Sequence, residues 1–290
     1  MSLLALLTAV TLAPPMTPAS MHLHVPVLDT VVELRRGERV ILRDVSGTVR
    51  VEAVGGDRLE VMSAGRTDNV TLRRADGRVT ISATGRGGSR RSVDVGLRVP
   101  AWADVALDGV DLDVSVRGME GSVTIGSVSG DIAVEGTAGT VRARTLEGEI
   151  VAESTTGPLY LSSHSDDVYV RSASGPLEVQ SLDGDLYLEE LRASTVRAET
   201  QAGDVTFSGE ILVGGSYRFY LHDGDARLEL PATLSATVRV STFHGTFESD
   251  FPVMVSGFTS GRPFEFTVGG GEAEVRVEVF DGEIRLVRGN

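Results

Sequence analysis

The chain has 290 residues, enough for one large β domain or two smaller ones, with 41% hydrophobic and 23% charged residues, an ordinary globular make-up. It holds no cysteine, which excludes disulfides, thiolate metal sites and thiol catalysis. All 27 basic residues are arginine, 41 residues are acidic, and the formal charge of -14 makes a phosphate backbone an unfavourable partner.

The N-terminus reads MSLLALLTAVTLAPPMTPASMHLH. Leu3 to Ala13 is an apolar run of signal-peptide length, too short to span a bilayer. Thr17, Pro18 and Ala19 offer a small-residue cleavage site, so residues 1–20 are expected to be a signal peptide or a disordered leader. The first cationic residue is Arg35, and the usual cationic start of such a leader is missing. A working leader implies export to the periplasm or cell surface; without one the chain stays cytoplasmic. No later stretch reaches transmembrane length.

Residues 30–98 form a basic N-terminal β segment. Between Arg35 and Arg98 there are 14 arginines and 8 carboxylates, against 13 and 31 from Val99 onward. Such a stretch either binds an anionic surface or forms a mixed solvated face beside the acidic body. DVSGTVRVEAVGGDRLEVMSAG spaces Gly47, Gly56 and Gly65 nine residues apart, and DGRVTISATG follows. RGGSRRS (86–92) reads as a loop or linker, and VPAWADV re-enters a strand with Pro100 at its edge.

Residues 99–290 carry the main, acidic repeat. Gly121, Gly130, Gly139, Gly148, Gly157, Asp166, Gly175 and Gly184 share one nine-residue register, and an inserted residue near Ala193 shifts it to Gly203. Asp166 is read as tolerating a left-handed turn. The second and fourth residues after each register position are apolar, from Val123/Ile125 to Val205/Phe207, which is the alternation of a half-buried strand. The seventh residue (Val128, Leu146, Ala173, Leu182, Leu191) is expected to point inward as well. The residue after the glycine is acidic in every other unit, so the true repeat is about 18 residues. This predicts an all-β, parallel β-solenoid with two short strands per coil, because stacked strands share a core that one strand cannot build alone.

The pattern loosens between Phe219 and Glu274, and EAEVRVEVFDGEIRL restores it. All nine phenylalanines follow position 206, which predicts a core widening toward the C-terminus. The N-terminal strands and the phenylalanine-rich end are expected to cap the stack against edge pairing. No amphipathic helix is predicted.

ERVILRDVSGTVRVEAVGGDRLEV, LRVPAWADVAL, SGDIAVEGTAGTVRARTLEGEI and VEVFDGEIRL together resemble a bacterial "putative adhesin" family, a domain-of-unknown-function family of β-solenoid repeats. The resemblance spans roughly residues 30–288. It implies a right-handed, β-helix-like solenoid in a non-enzymatic, exported or envelope-associated protein, tied in some relatives to envelope-stress operons. The family carries no established catalytic residues, so none transfers.

Candidate chemistry is sparse. His22 and His24 are a two-residue metal pair or part of a flexible terminus. His164 in HSDD and His222 in HDGD lie beside carboxylates, as acid-base chemistry requires, and both also fit turns between strands. No G-x-S-x-G elbow occurs. No catalytic residue, metal site or cofactor is assigned.

The candidate binding residues are the acid column Asp131, Glu149, Asp167, Asp185 and Asp204, with Tyr169 and Tyr187. Stacked coils place successive acids about 4.8 Å apart. Like charges that close raise one another's pKa or recruit a cation, and calcium prefers such oxygen ligands. Acids after glycine also suit exposed, soluble turns, and the glycine-rich calcium nonapeptide is absent. Tyr160, Tyr169 and Tyr187 share the outward third position. Tyr169 and Tyr187 fall one coil apart near Val151, as a binding patch or as cross-strand packing. The expected function is a non-enzymatic scaffold whose flanks contact a protein or an envelope polysaccharide, without nucleic acid. The alternative is a carbohydrate-active enzyme with paired carboxylates on a β-helix face.

Overall fold

The structure is a computed structural model that describes residues 28–64, 70–83, 93–253 and 262–289. The leader, the RGGSRRS segment and Gly65 lie outside the described residues; within the described residues every named element is a β-strand.

The repeat is clearest in six four-residue strands: β8 (Val123–Gly126), β9 (Ile132–Glu135), β10 (Val141–Arg144), β11 (Ile150–Glu153), β12 (Leu159–Ser162) and β13 (Val168–Arg171). Even-numbered strands pair in parallel on one flank, here the front, with Val123, Val141 and Leu159 in line. Odd-numbered strands pair in parallel on the back, with Ile132, Ile150 and Val168 in line. Each partner lies 18 residues along the chain, so two strands make one coil. The two inward residues of each strand meet those of the other flank in one continuous core. Burying each valine, leucine or isoleucine contributes about 1.5–3 kcal/mol.

The corners explain the glycines. A Cβ on Gly139 would lie 2.0 Å from the Gly121 carbonyl oxygen, and one on Gly157 2.2 Å from that of Gly139. Coils 18 residues apart touch backbone to backbone here, and no side chain fits between them. Hydroxyls close the inside of the front-to-back corner. Ser127 Oγ donates to the Ser129 carbonyl at 2.6 Å, and Thr145 Oγ1 to that of Glu147 at 2.9 Å. Simple alternation turns Val128 and Leu146 inward, but they are 43% and 48% exposed. The buried hydroxyl residue before each takes the inner position, because the corner's carbonyls need a donor.

Toward the C-terminus the strands lengthen: β14 (Leu177–Ser181), β15 (Leu186–Leu191), β16 (Thr195–Ala202), β17 (Val205–Gly209), β18 (Ser216–Asp223) and β19 (Ala226–Leu230). A register shift between Leu188 and Leu191 absorbs the inserted residue. Phe207, Tyr217 and Phe219 are fully buried and fill the wider coils, with Phe207 and Phe219 edge to face at 5.2 Å. The Tyr217 hydroxyl donates to the Ala193 carbonyl at 2.8 Å and accepts from the Leu212 N–H at 2.9 Å. Phe243 and Phe280 do not join this core; they are 53% and 44% exposed.

Both ends depart from simple winding. The N-terminal strands are β1 (Leu28–Glu33), β2 (Arg39–Val54), β3 (Arg58–Ala64), β4 (Val70–Ala75), β5 (Arg78–Ala83), β6 (Asp94–Pro100) and β7 (Asp104–Arg117). Strands β2 and β7 each cross both flanks and pair side by side. The chain between them folds over the open end, where β3 runs antiparallel to β1 and β6, and β4 antiparallel to β5. The glycine spacing Gly47–Gly56 therefore does not continue the winding; at Gly56 the chain reverses into an antiparallel cap. At the other end, β20 (Ala236–Ser249) is followed by β21 (Phe264–Val268) and β22 (Ala273–Arg288). Strand β22 inserts between β18/β19 and β20, and β21 closes the front edge antiparallel to β20. A capping antiparallel strand leaves no parallel register open for another coil.

Candidate functional site

The front-to-back corner carries the acid column. Asp131, Glu149, Asp167, Asp185 and Asp204 each precede an inward strand residue of the aligned back-flank series Ile132, Ile150, Val168, Leu186, Val205. They run along one edge of the stack, and the four aspartate carboxylates hold the backbone of the next coil. Asp131 Oδ1 accepts from the Glu149 N–H at 3.0 Å, Asp167 Oδ1 from Asp185 at 2.9 Å, and Asp185 Oδ1 from Asp204 at 2.8 Å. The series extends past both ends of the sequence-derived column. Asp113 accepts from the Asp131 N–H at 3.2 Å, Asp204 from Asp225 at 2.8 Å, and Asp225 from Glu283 at 2.7 Å. A hydrogen bond to an ionised acceptor contributes about 1.5–3 kcal/mol, less where water competes.

Glu149 breaks the chain of bonds. Its side chain is one methylene longer, and among the described residues no N–H reaches its carboxylate. Partial burial and the charges of Asp131, Asp167 and Asp166 raise its pKa above the usual carboxylate value. Asp166 is the register residue that is not glycine. It does not adopt the left-handed conformation expected from sequence. Its carboxylate instead reaches back to accept from the Gly148 N–H at 2.7 Å.

Tyr169 and Tyr187 lie on the back flank beside this edge, their rings stacked at 4.7 Å and 7°. Each hydroxyl donates at 3.1 Å to the aspartate two residues earlier, Asp167 and Asp185. These two carboxylates therefore use both oxygens, one on the next coil's backbone and one on a tyrosine. The hydrogen bond to Asp185, then burial and nearby negative charge, push the Tyr187 phenol up to about 12. Burial first, then the bond to Asp167, raises Tyr169. Val151 pairs with Tyr169 on the preceding coil, and Thr206 with Tyr187 on the following one. Tyr160 lies on the front flank, away from this pair, with the Arg142 guanidinium 4.6 Å over its ring.

Among the described residues no three histidine, aspartate or glutamate side chains converge as metal ligands. The His164 backbone shapes a turn, its carbonyl accepting from the Asp183 N–H at 2.9 Å. His222 stacks on Phe280 at 4.8 Å, and Phe280 on Phe243 at 5.1 Å, an exposed aromatic patch that the repeat pattern does not announce. His22 and His24 lie outside the described residues.

Residues 159–287 match the family model Toastrack DUF4097. The repeat region is Toastrack-like. The match begins at the first residue of β12, while the same parallel ladder continues back through β10 and β8 into the Toastrack-like stack. Similar solved structures include a "putative adhesin" from Parabacteroides merdae ATCC 43184, at 10% identity over 90% of this chain and 95% of that one, TM-score 0.48. Others come from Parabacteroides distasonis ATCC 8503 (11%, 90% and 96%, TM-score 0.44) and Bacteroides fragilis NCTC 9343 (11%, 90% and 96%, TM-score 0.42). No curated protein matches the chain. Among the described residues, no helix is long and apolar enough to cross a membrane.

Proposed function

We propose that this chain is a non-enzymatic, exported or envelope-associated scaffold that presents the flanks of a rigid β-solenoid to another macromolecule. One observation carries the reading. The side chains best placed for chemistry, Asp131, Asp167, Asp185 and Asp204, already hold backbone N–H groups of neighbouring coils. A carboxylate acting as general acid, base or nucleophile must be free to exchange a proton or attack a substrate. The Asp167 and Asp185 carboxylates, and the tyrosines tied to them, are instead parts of the frame. Their role at a binding surface is to fix the stacked rings of Tyr169 and Tyr187 in one orientation on the back flank.

The test combines location with capture. A C-terminally tagged chain is fractionated, its mature N-terminus is mapped, and envelope extracts are passed over the purified protein. Processing within residues 17–21, envelope or extracellular recovery and a specific captured macromolecule are expected. Wholly cytoplasmic recovery of the unprocessed chain overturns the export reading. Turnover of any member of a polysaccharide panel overturns the non-enzymatic one.

A further inference from the structure

The front flank holds a second feature, distant from the acid corner. A groove of about 650 Å³ opens across the outside of β2, β7, β8 and β10. Its cause lies in side-chain size. Outward positions on the central strands are small, with Ala106 on β7 and Thr124 and Gly126 on β8, while both neighbouring walls carry arginines. Arg39, Arg43 and Arg78 rise on the N-terminal side, and Arg142 and Arg144 on the other, where Tyr160 continues the wall. The aligned residues Ile41, Ala106, Thr124 and Arg142 put three strand spacings, about 14 Å, between the walls.

Charge makes the groove exceptional in this molecule. Five arginines and two carboxylates, Asp108 and Glu178, line it in a chain whose formal charge is -14. Arg39 reaches Asp104 at 3.7 Å and Arg142 covers Tyr160, but Arg43, Arg78 and Arg144 form no ion pair among the described residues. Most other front-flank arginines are answered by carboxylates: Arg197 by Glu199, Arg239 by Glu265 and Arg276 by Glu278. Unpaired guanidiniums on two facing walls are a fork-shaped arrangement for carboxylates or other oxyanions.

The floor selects among polyanions. Its strands are paired on both edges, so an extended peptide finds no free N–H or C=O row with which to add a strand. A nucleic-acid duplex, with a charge every ~1.7 Å, would press its field against the acidic remainder of the chain. A saccharide chain carries at most one carboxylate per ring, and its hydroxyls match the neutral groups Thr124, between the arginine walls, and Ser162 and Gln180, just beyond Arg144.

We infer that this groove binds an acidic polysaccharide, with carboxylates on successive sugars bridging Arg43 and Arg78 on one wall to Arg142 and Arg144 on the other. The inference names the ligand class of the scaffold proposed above and rests on that reading only for where the two would meet. The purified chain is titrated at low salt with a galacturonate hexamer, the same hexamer fully methyl-esterified, and poly-L-glutamate of equal charge. The free hexamer is expected to bind, weakening as salt rises, and the ester is expected not to bind. Arg142→Gln/Arg144→Gln and Arg43→Gln/Arg78→Gln should each weaken binding roughly tenfold or more, whereas Arg227→Gln on the back flank should leave it unchanged. All substituted residues are exposed, and an unchanged melting temperature verifies folding. No binding of the free hexamer, or equal weakening by Arg227→Gln, overturns the site. Equal, arginine-dependent binding of poly-L-glutamate overturns the polysaccharide in favour of an acidic protein. None of these outcomes depends on cellular location, which the fractionation decides separately.

Discussion

At the front-to-back corner a glycine is followed by a carboxylate, and at the return corner a glycine is followed by Ser122, Thr140, Pro158 or Pro176. Both glycines permit the same close approach, since a Cβ on Gly148 would lie 2.3 Å from the Gly130 carbonyl oxygen and one on Gly175 2.2 Å from that of Gly157. The backbone conformations differ. At the acid corner the glycines other than Gly184 are themselves left-handed, with φ of 110° at Gly130, 133° at Gly148 and 153° at Gly203. At the return corner the left-handed residue comes three positions before the glycine, with φ of 60° at Gly136, 52° at Ser154 and 54° at Ser172, and Glu190, at 54°, takes the same place before Ala193. The second set sits in the small left-handed well that ordinary residues can enter, and the first lies outside it. One corner therefore requires glycine twice over and adds a carboxylate to hold the next coil. The other requires glycine for space alone, and its left-handed position admits serine and glutamate.

Substitutions can break this contrast or sharpen it. Gly148→Ala should have the largest effect, because it meets both the clash and the unfavourable φ. A loss of about 3 kcal/mol or more in urea unfolding is expected, while Gly126→Ala, whose Cβ would meet nothing within 4 Å, changes stability by less than about 1 kcal/mol. Asp185→Ala comes next. It leaves the Asp204 N–H and the Tyr187 hydroxyl without their acceptor, for a loss of about 1–3 kcal/mol and faster hydrogen exchange at the Asp204 amide.

Alkaline titration probes the tyrosine side of the same corner. The Tyr187 phenol is pushed up to about 12 from the ordinary tyrosine value of 10.0, so the folded chain holds that proton more tightly than the unfolded one. Its stabilising contribution is intact below pH 10.0 and is lost as pH rises toward about 12. Ultraviolet titration should show a late-ionising phenol that Asp185→Asn shifts downward.

Glu149→Gln should give a smaller, opposite effect. The raised pKa of Glu149 means that its charge opposes folding, so the variant should melt slightly higher at neutral pH. The advantage should vanish as pH falls through the Glu149 titration, where the wild-type carboxyl becomes neutral as well. Smallest of all is the response to cations. With the aspartates occupied by backbone N–H groups, calcium and chelator should leave the melting temperature unchanged; a clear rise with calcium would return the column to the status of an ion site.

Much of the stack was legible in the residues. The pairs Val123/Ile125 through Val205/Phe207 repeat at a spacing that only stacked short strands satisfy, and the alternation of acids reveals two strands per coil. The acid column was legible in position but not in role, since no one-dimensional pattern tells whether Asp131 Oδ1 faces a cation or the Glu149 N–H. Asp113 keeps the 18-residue spacing but escaped because Leu112, not a glycine, precedes it, while Asp225 and Glu283 escaped because the spacing grows to 21 and then 58 residues. The arginine groove was invisible for a related reason. Arg78 and Arg142 share a flank only because β2 pairs with both β5 and β7, which separates sequence order from spatial order.

Chain chemistry alone therefore determined the local rules: where backbone must touch backbone, which residues face inward, and that neighbouring coils stack in register. These rules are short-ranged and repeat with the period of the chain. Folding in three dimensions decided the ends and the surfaces. Strand β22 inserts ahead of β20, β3 reverses to close the N-terminal edge, and arginines far apart in the chain meet across small residues. Those outcomes depend on which free edge each strand finds, a choice governed by long-range pairing and the closure of the core.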